Sequence, residues 1–296
     1  METKEKFNVY KDITLRILQK LREGVIPWQR SFRPGCSMRA INHVTGKPYS
    51  LLNQMLLGDN GEYITYRQTE GIKDAHVRPG SKGKRISFFS MVEKKHTSDD
   101  EEETTTTTTE TYPCLRYYTV FSIDDCEGIT PRRRPTGALP EADAVADRYM
   151  KSERIRMRHS DEAPKYDCDK DTVILPGEAA YDHKGDYHAD LFRLLVMSTG
   201  TEGRLARGIG FAELGPEARA REELTMEMGA AMLLAQCGLD PAEYLEHSTA
   251  YIAKWIELLE EDWRVVVTAA ARAEKAVKRI LGEDKKDASA EACAAA

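Results

Sequence analysis

The sequence predicts an α+β protein in two parts: a front domain that mixes helices with strands, then a mostly helical domain with a small sheet. Three observations predict it. Apolar residues recur at helical spacing near both ends, at Val9, Ile13, Ile17 and Leu21 and again at Ile252, Trp255, Ile256 and Leu259. Between them lie short runs of strand composition, residues 85–92 and the segment CLRYYTVFSI. A basic, proline-rich stretch, TPRRRPTGALP, has the character of a linker, and the boundary is placed there, giving domains over 1–130 and 131–282. At 296 residues the chain is long enough for two domains, each with its own core.

Taken in order, residues 8–23 form an amphipathic helix ended by Gly24. The segment GVIPWQRSFRPG is a loop by its prolines and glycines, carrying an exposed Trp28 beside Arg30 and Arg33. NHVTGKPYS is a second turn, residues 50–57 a short apolar helix, and YITYRQTEG another short helix. HVRPGSKGKR is a basic turn feeding the strand at 85–92. Residues 97–111, TSDDEEETTTTTTET, have almost nothing to bury and predict a disordered insertion between that strand and CLRYYTVFSI. Beyond the linker come a helix over 141–152, extended pieces at 155–158, 164–168 and 172–175, and an apolar helix over 187–200. A helix over 216–236 follows, with Pro216 in its first turn and Gly238 as its C-terminal cap. A helix pair over 249–281, its second member capped by Asp262, precedes a frayed, alanine-rich tail at 283–296.

No apolar run approaches the roughly 20 residues of a membrane span, and the charged start lacks the apolar core of a secretory signal, which predicts a cytoplasmic protein. The six cysteines form no CxxC pair and read as free thiols, not as a zinc ribbon. Residues 1–95 carry 18 Lys and Arg against 9 Asp and Glu, while the rest carries 25 against 40. A basic front half suits a polyanionic partner.

The front half interleaves aromatic residues with cations, as a surface for single-stranded nucleic acid requires: rings stack on bases without reading sequence, and cations follow phosphates. The candidate contacts are Trp28, Arg30, Arg33, Lys47, Tyr49, Arg78, Lys82, Lys84 and Arg85, whereas Tyr66 and Phe88 are assigned to the core. VRPGSKGKR is not a Walker A loop, because Lys84 is followed by Arg85 and a strand. In the rear half, a zinc peptidase would carry HExxH, which sets two imidazoles on one helical face with a glutamate to activate water. The helix at 187–200 reads Arg193, Leu194, Leu195, Val196 and Met197 there, with no ligand and no base. His183 and His188 are five apart across Gly185 and do not share a face, and no GxSxG elbow is present.

The segments ITLRILQKLREGVIPWQRSF, NHVTGKPYSLLN, HVRPGSKGKRISFF and RYYTVFSIDDCEGI, then YDCDKDTVILP, LFRLLVMSTGTEGRL and AREELTMEMGAAML, with the helix pair at 249–277, carry a family likeness. By them the chain resembles the ArdC-type antirestriction proteins of conjugative plasmids and mobile elements. That family joins an N-terminal single-stranded-DNA-binding domain to a zincin-like metallopeptidase domain. The resemblance implies single-stranded DNA as partner and zinc as the family's cofactor. Its HELxH motif falls on residues 193–197, the histidine after STG falls on Thr201, and its distal glutamate corresponds to Glu222 or Glu223. With the ligands missing, no cofactor and no catalytic residue are expected, and Arg193 is expected to pair with that distal carboxylate. The rear domain then serves as scaffold or protein-binding surface. Two alternatives stand beside this: an active zinc peptidase using His183, His188 and Glu223, or an interaction module whose basic face meets an acidic protein.

Overall fold

The computed structural model describes residues 8–30, 40–99, 105–132, 140–209, 215–245 and 251–284. Helix α1 (Val9–Arg22) starts where the Asn8 side chain accepts from the Lys11 N–H, and buries Ile13, Ile17, Leu18 and Leu21 along one stripe. Gly24, at φ +72°, turns the chain into a short helix, α2 (Pro27–Arg30), where a loop was expected. Strand β1 (Ile41–Asn42) leads to α3 (Leu51–Leu57), capped by the Ser50 hydroxyl. YITYRQTEG is not one helix but β2 (Glu62–Thr65) followed by α4 (Tyr66–Glu70). Buried Tyr63 and Ile64 pair with a later strand, and a Thr65–Gln68 capping box then starts the helix.

After β3 (His76–Val77), the long strands β4 (Lys84–Asp99) and β5 (Thr105–Ser122) form one hairpin, and β6 (Cys126–Glu127) pairs with β3. The acidic and threonine-rich tract, expected to be disordered, is strand over 97–99 and 105–111, with register Asp99↔Thr105 through Glu93↔Thr111. β-Branched threonines suit an extended ladder, a preference that composition alone concealed. The main sheet has the order β1-β2-β5-β4, antiparallel except between β1 and β2. The edge of β4 is covered by α3, whose Asn53 amide accepts from the Ser87 N–H and donates to the Ser87 carbonyl.

The rear half begins with α5 (Ala142–Glu153) and a sheet of β7 (Arg156–His159), β8 (Lys165–Asp167) and β9 (Thr172–Leu175) in the order β7-β9-β8. Helices α6 (Lys184–Ser198) and α7 (Pro216–Gln236) pack closely, because a Cβ on Gly229 would stand 2.7 Å from Val196 Cγ2. Short α8 (Pro241–Tyr244), α9 (Ile252–Glu261) and α10 (Val265–Leu281) complete the chain. Asp262 accepts from the Arg264 N–H at the turn between the last two.

Separate cores were expected for the two halves, yet one buried cluster runs from Ile13, Ile17 and Trp28 through α6, α7, α9 and α10. Trp28 has no accessible surface and meets Trp255 edge to face, ring centroids 5.1 Å apart. The Thr14 hydroxyl donates to the Trp263 carbonyl at 2.7 Å across the same boundary. No helix among the described residues is long and apolar enough to cross a membrane.

Candidate nucleic-acid interface and metal-position cleft

The β4–β5 register sets Ile86 opposite Tyr118 and Phe88 opposite Arg116, so these four side chains leave one face of the hairpin. Ile86 is buried, whereas Phe88 is 55% and Tyr118 46% exposed, their rings packed edge to face with centroids 5.7 Å apart. Phe88 and Tyr66 were assigned to the core; the structure corrects both, Tyr66 being 60% exposed. Phe88 and Tyr118 line a groove of about 830 Å³ together with Leu52, Ile86 and Lys47–Tyr49. Tyr49 is half-buried and its hydroxyl accepts from the Asn42 amide, while burial pushes its pKa up, so it presents a neutral ring to the groove.

The sequence-predicted contacts divide sharply. Lys47 and Arg85 are exposed, and neither makes an ion pair among the described residues. Lys82 is exposed on the basic turn, and Arg78 there pairs with Glu127 at 3.4 Å. Trp28 is a correction: it is sealed between the halves and cannot stack on a base. Lys84 is another, since its ammonium already donates to Asp59 (2.5 Å), the Tyr63 hydroxyl (2.8 Å) and the Leu57 carbonyl (3.0 Å). Arg33 lies outside the described residues, and of Arg30 only the backbone is described. Sequence reasoning missed Tyr118 and Arg116; cross-strand alternation against Ile86 was the signal that could have found them.

In the rear half, α6 brings Arg193, Leu194 and Met197 to a cleft of about 380 Å³. Its other walls are edge strand β8, with Lys165 and Tyr166, and α7, with Glu222, Glu223 and Met226. The expected pairing of Arg193 with Glu222 or Glu223 is corrected. Arg193 Nε lies 3.7 Å from Glu227, one turn further along α7, and Gln29 of α2 also approaches Glu227 at 3.5 Å. Glu222 is held instead by Arg207, Nη2 at 2.6 Å and Nε at 3.1 Å, both side chains almost fully buried. Arg207 also donates to Thr199 Oγ1 (2.6 Å) and the Val196 carbonyl (2.9 Å), a carbonyl at the end of α6 to which the Thr199 hydroxyl also donates. Gly200 gives it room, because a Cβ there would stand 2.9 Å from Arg207 Nη2. Glu223 pairs with Lys254 at 2.7 Å.

Zinc takes imidazole, thiolate or carboxylate donors. The three helix positions supply a guanidinium, an isobutyl group and a thioether, and each nearby carboxylate is closed on a cation of this chain. These residues do not fit the ion. His188 is buried against α5, its Nε2 at 2.9 Å from Asp143, while His183 is exposed, so neither joins Glu223. Among the described residues no three His, Cys, Asp or Glu side chains are grouped to hold a metal.

Residues 7–121 match the family described as the N-terminal domain of anti-restriction factor ArdC, and residues 144–272 match the zincin-like metallopeptidase family. The antirestriction ArdC protein of plasmid R388, solved metal-free, is 27% identical with a TM-score of 0.72, covering 93% of this chain and 97% of that one. A second structure of that protein, described as Mn(II)-bound, is 26% identical with a TM-score of 0.70, at the same coverage. Among curated relatives, the uncharacterized protein y4eC of Sinorhizobium fredii is 28% identical over 90% of each chain. A DNA primase TraC of Escherichia coli is 26% identical over 96% of this chain, which spans 28% of that longer protein.

Proposed function

For a chain whose residues 7–121 belong to the ArdC N-terminal-domain family and whose residues 144–272 belong to the zincin-like metallopeptidase family, we propose single-stranded DNA binding by a protein without peptidase chemistry. The observation that carries the reading is the exposed Phe88–Tyr118 pair, with the exposed cation Arg116 on the same hairpin face and Lys47 lining the same groove, on a basic front half. Aromatic rings hold bases by stacking, which is sequence-tolerant, and arginine and lysine supply the salt-sensitive part of the affinity. Protection of incoming DNA from restriction is proposed on family membership alone. The test is an electrophoretic shift with single-stranded oligonucleotides over a salt series. Binding at about 50 mM salt that fades as salt rises is expected, and its absence would sink the reading.

The rear half is proposed to hold no resident zinc and to activate no water. This rests on Arg193, Leu194 and Met197 at the positions where HExxH would lie, and on the cation closing each of Glu222, Glu223 and Glu227. Zinc would supply Lewis-acid activation of water in a zincin-like domain. The mismatch extends to Mn(II), which the R388 neighbour is described as binding. Elemental analysis of protein purified without chelator checks this: stoichiometric zinc or manganese would overturn it.

A further inference from the structure

The groove beside Phe88 and Tyr118 is not a property of the front half alone. Its far wall is α10, which presents Val267, Ala271, Glu274 and Lys275 to it. The spacing of four, three and one keeps these residues on a single helical face. Glu274 is committed, its carboxylate accepting from the Leu51 N–H at the start of α3, so it pins α10 to the front half. Lys275 is exposed, with no ion pair among the described residues, and lines the same groove as Lys47. The site is therefore a groove lined by the buried apolar side chains of Leu52 and Ile86, by two exposed rings and by two uncommitted ammonium groups, one from each half. At about 830 Å³ it lies in the upper range of ligand-sized cavities.

Resting on the reading of single-stranded DNA binding given above, we infer that this seam groove seats unstacked bases and that Lys275 of α10 contacts their phosphates. The rear half would then form one wall of the nucleic-acid site, a role that needs no metal. Charge complementarity selects the occupant: rings accept the bases while the two lysines take the backbone. A duplex cannot enter, because its bases are already stacked and paired.

The test is fluorescence anisotropy of a labelled oligodeoxythymidine titrated with full-length protein at several salt concentrations, with oligouridine and duplex DNA alongside. Ala271→Trp should fill the trough and weaken binding about tenfold or more with little change in salt slope. Lys275→Gln should lower the slope of log affinity against log salt by about 0.7, the share of one phosphate contact on a single strand. Both positions are exposed, so thermal melting should stay at the wild-type value and separate lost binding from lost folding. Equal binding of oligouridine keeps the inference, as the rings and lysines do not read the sugar. If Phe88→Ala weakens binding while Ala271→Trp and Lys275→Gln bind as wild type, the groove is overturned and the function stands. If wild type prefers duplex, the groove is overturned too. If wild type binds no nucleic acid at low salt, the function itself fails.

Discussion

In the rear cleft Glu222 and Glu223, and beneath Arg193 the buried Glu227, each close on a cation of this chain, Arg207, Lys254 and Arg193. In the seam groove, Lys47 and Lys275 stand exposed without an ion pair among the described residues, beside two rings that are about half exposed. Both regions are concave and both mix charge with apolar wall. They differ in that the carboxylates of the first have already found partners and the lysines of the second have not. A committed charge holds the fold together, whereas an uncommitted one beside an exposed ring is available to something arriving from solution. The carboxylates of the rear cleft belong to the first kind, and the hairpin face to the second.

The comparison breaks most decisively at Arg207. Arg207→Ala leaves the nearly buried Glu222 carboxylate without its partner and should cost about 3–5 kcal/mol in chemical denaturation. Arg207→Met combined with Glu222→Leu should be close to neutral, because both charges leave together. A single variant as stable as wild type would show that the cleft's charges are not structural. Next in size, Phe88→Ala and Tyr118→Ala should each lose about 1–3 kcal/mol of single-strand affinity while unfolding within about 0.5 kcal/mol of wild type. Loss of stability in place of affinity would make the rings part of the core after all. Gly229→Ala sharpens the packing side: the added methyl meets Val196 at 2.7 Å, and about 1–3 kcal/mol of stability should be lost with DNA affinity per folded molecule unchanged.

The smallest effect is at Lys84, which separates a committed lysine from a free one. Lys84→Gln should change single-strand affinity less than twofold and cost about 0.5–1 kcal/mol of stability, since the pair is half exposed. Partial burial raises the Asp59 carboxyl, but Lys84, with the Tyr63 hydroxyl and the Gly61 N–H, outweighs it and holds the carboxyl below its usual range. A depressed carboxylate stabilises the fold above its unfolded pKa of about 3.9 and loses that contribution as pH falls through the folded value. The difference between wild type and Lys84→Gln should therefore shrink below about pH 4, measured by denaturation at pH 7 and pH 3.

The long helices were legible because pattern and punctuation agreed. Asn8 and Pro216 start α1 and α7 where the apolar period begins, and Thr172–Leu175 is a strand both by composition and in the fold. Trp28 misled because its neighbours Arg30 and Arg33 imitate a base platform, while the partner that buries it, Trp255, is far along the chain. The same limit hid Arg207, a loop arginine with no motif around it whose value comes from standing at the end of α6 opposite Glu222. That residues 193–197 carry no HExxH could be read from the sequence, but the ion pairs that Glu222, Glu223 and Glu227 make could not. Lys275 illustrates the other direction, as nothing in α10 marks it until the helix is seen facing the hairpin.

The indole of Trp28 ties the halves into a single cooperative solid. Severing the chain at its proline-rich connector would bare an oily scar on each fragment, so neither would survive as a tidy module. Deleting either portion of the gene would therefore rob the other of its footing.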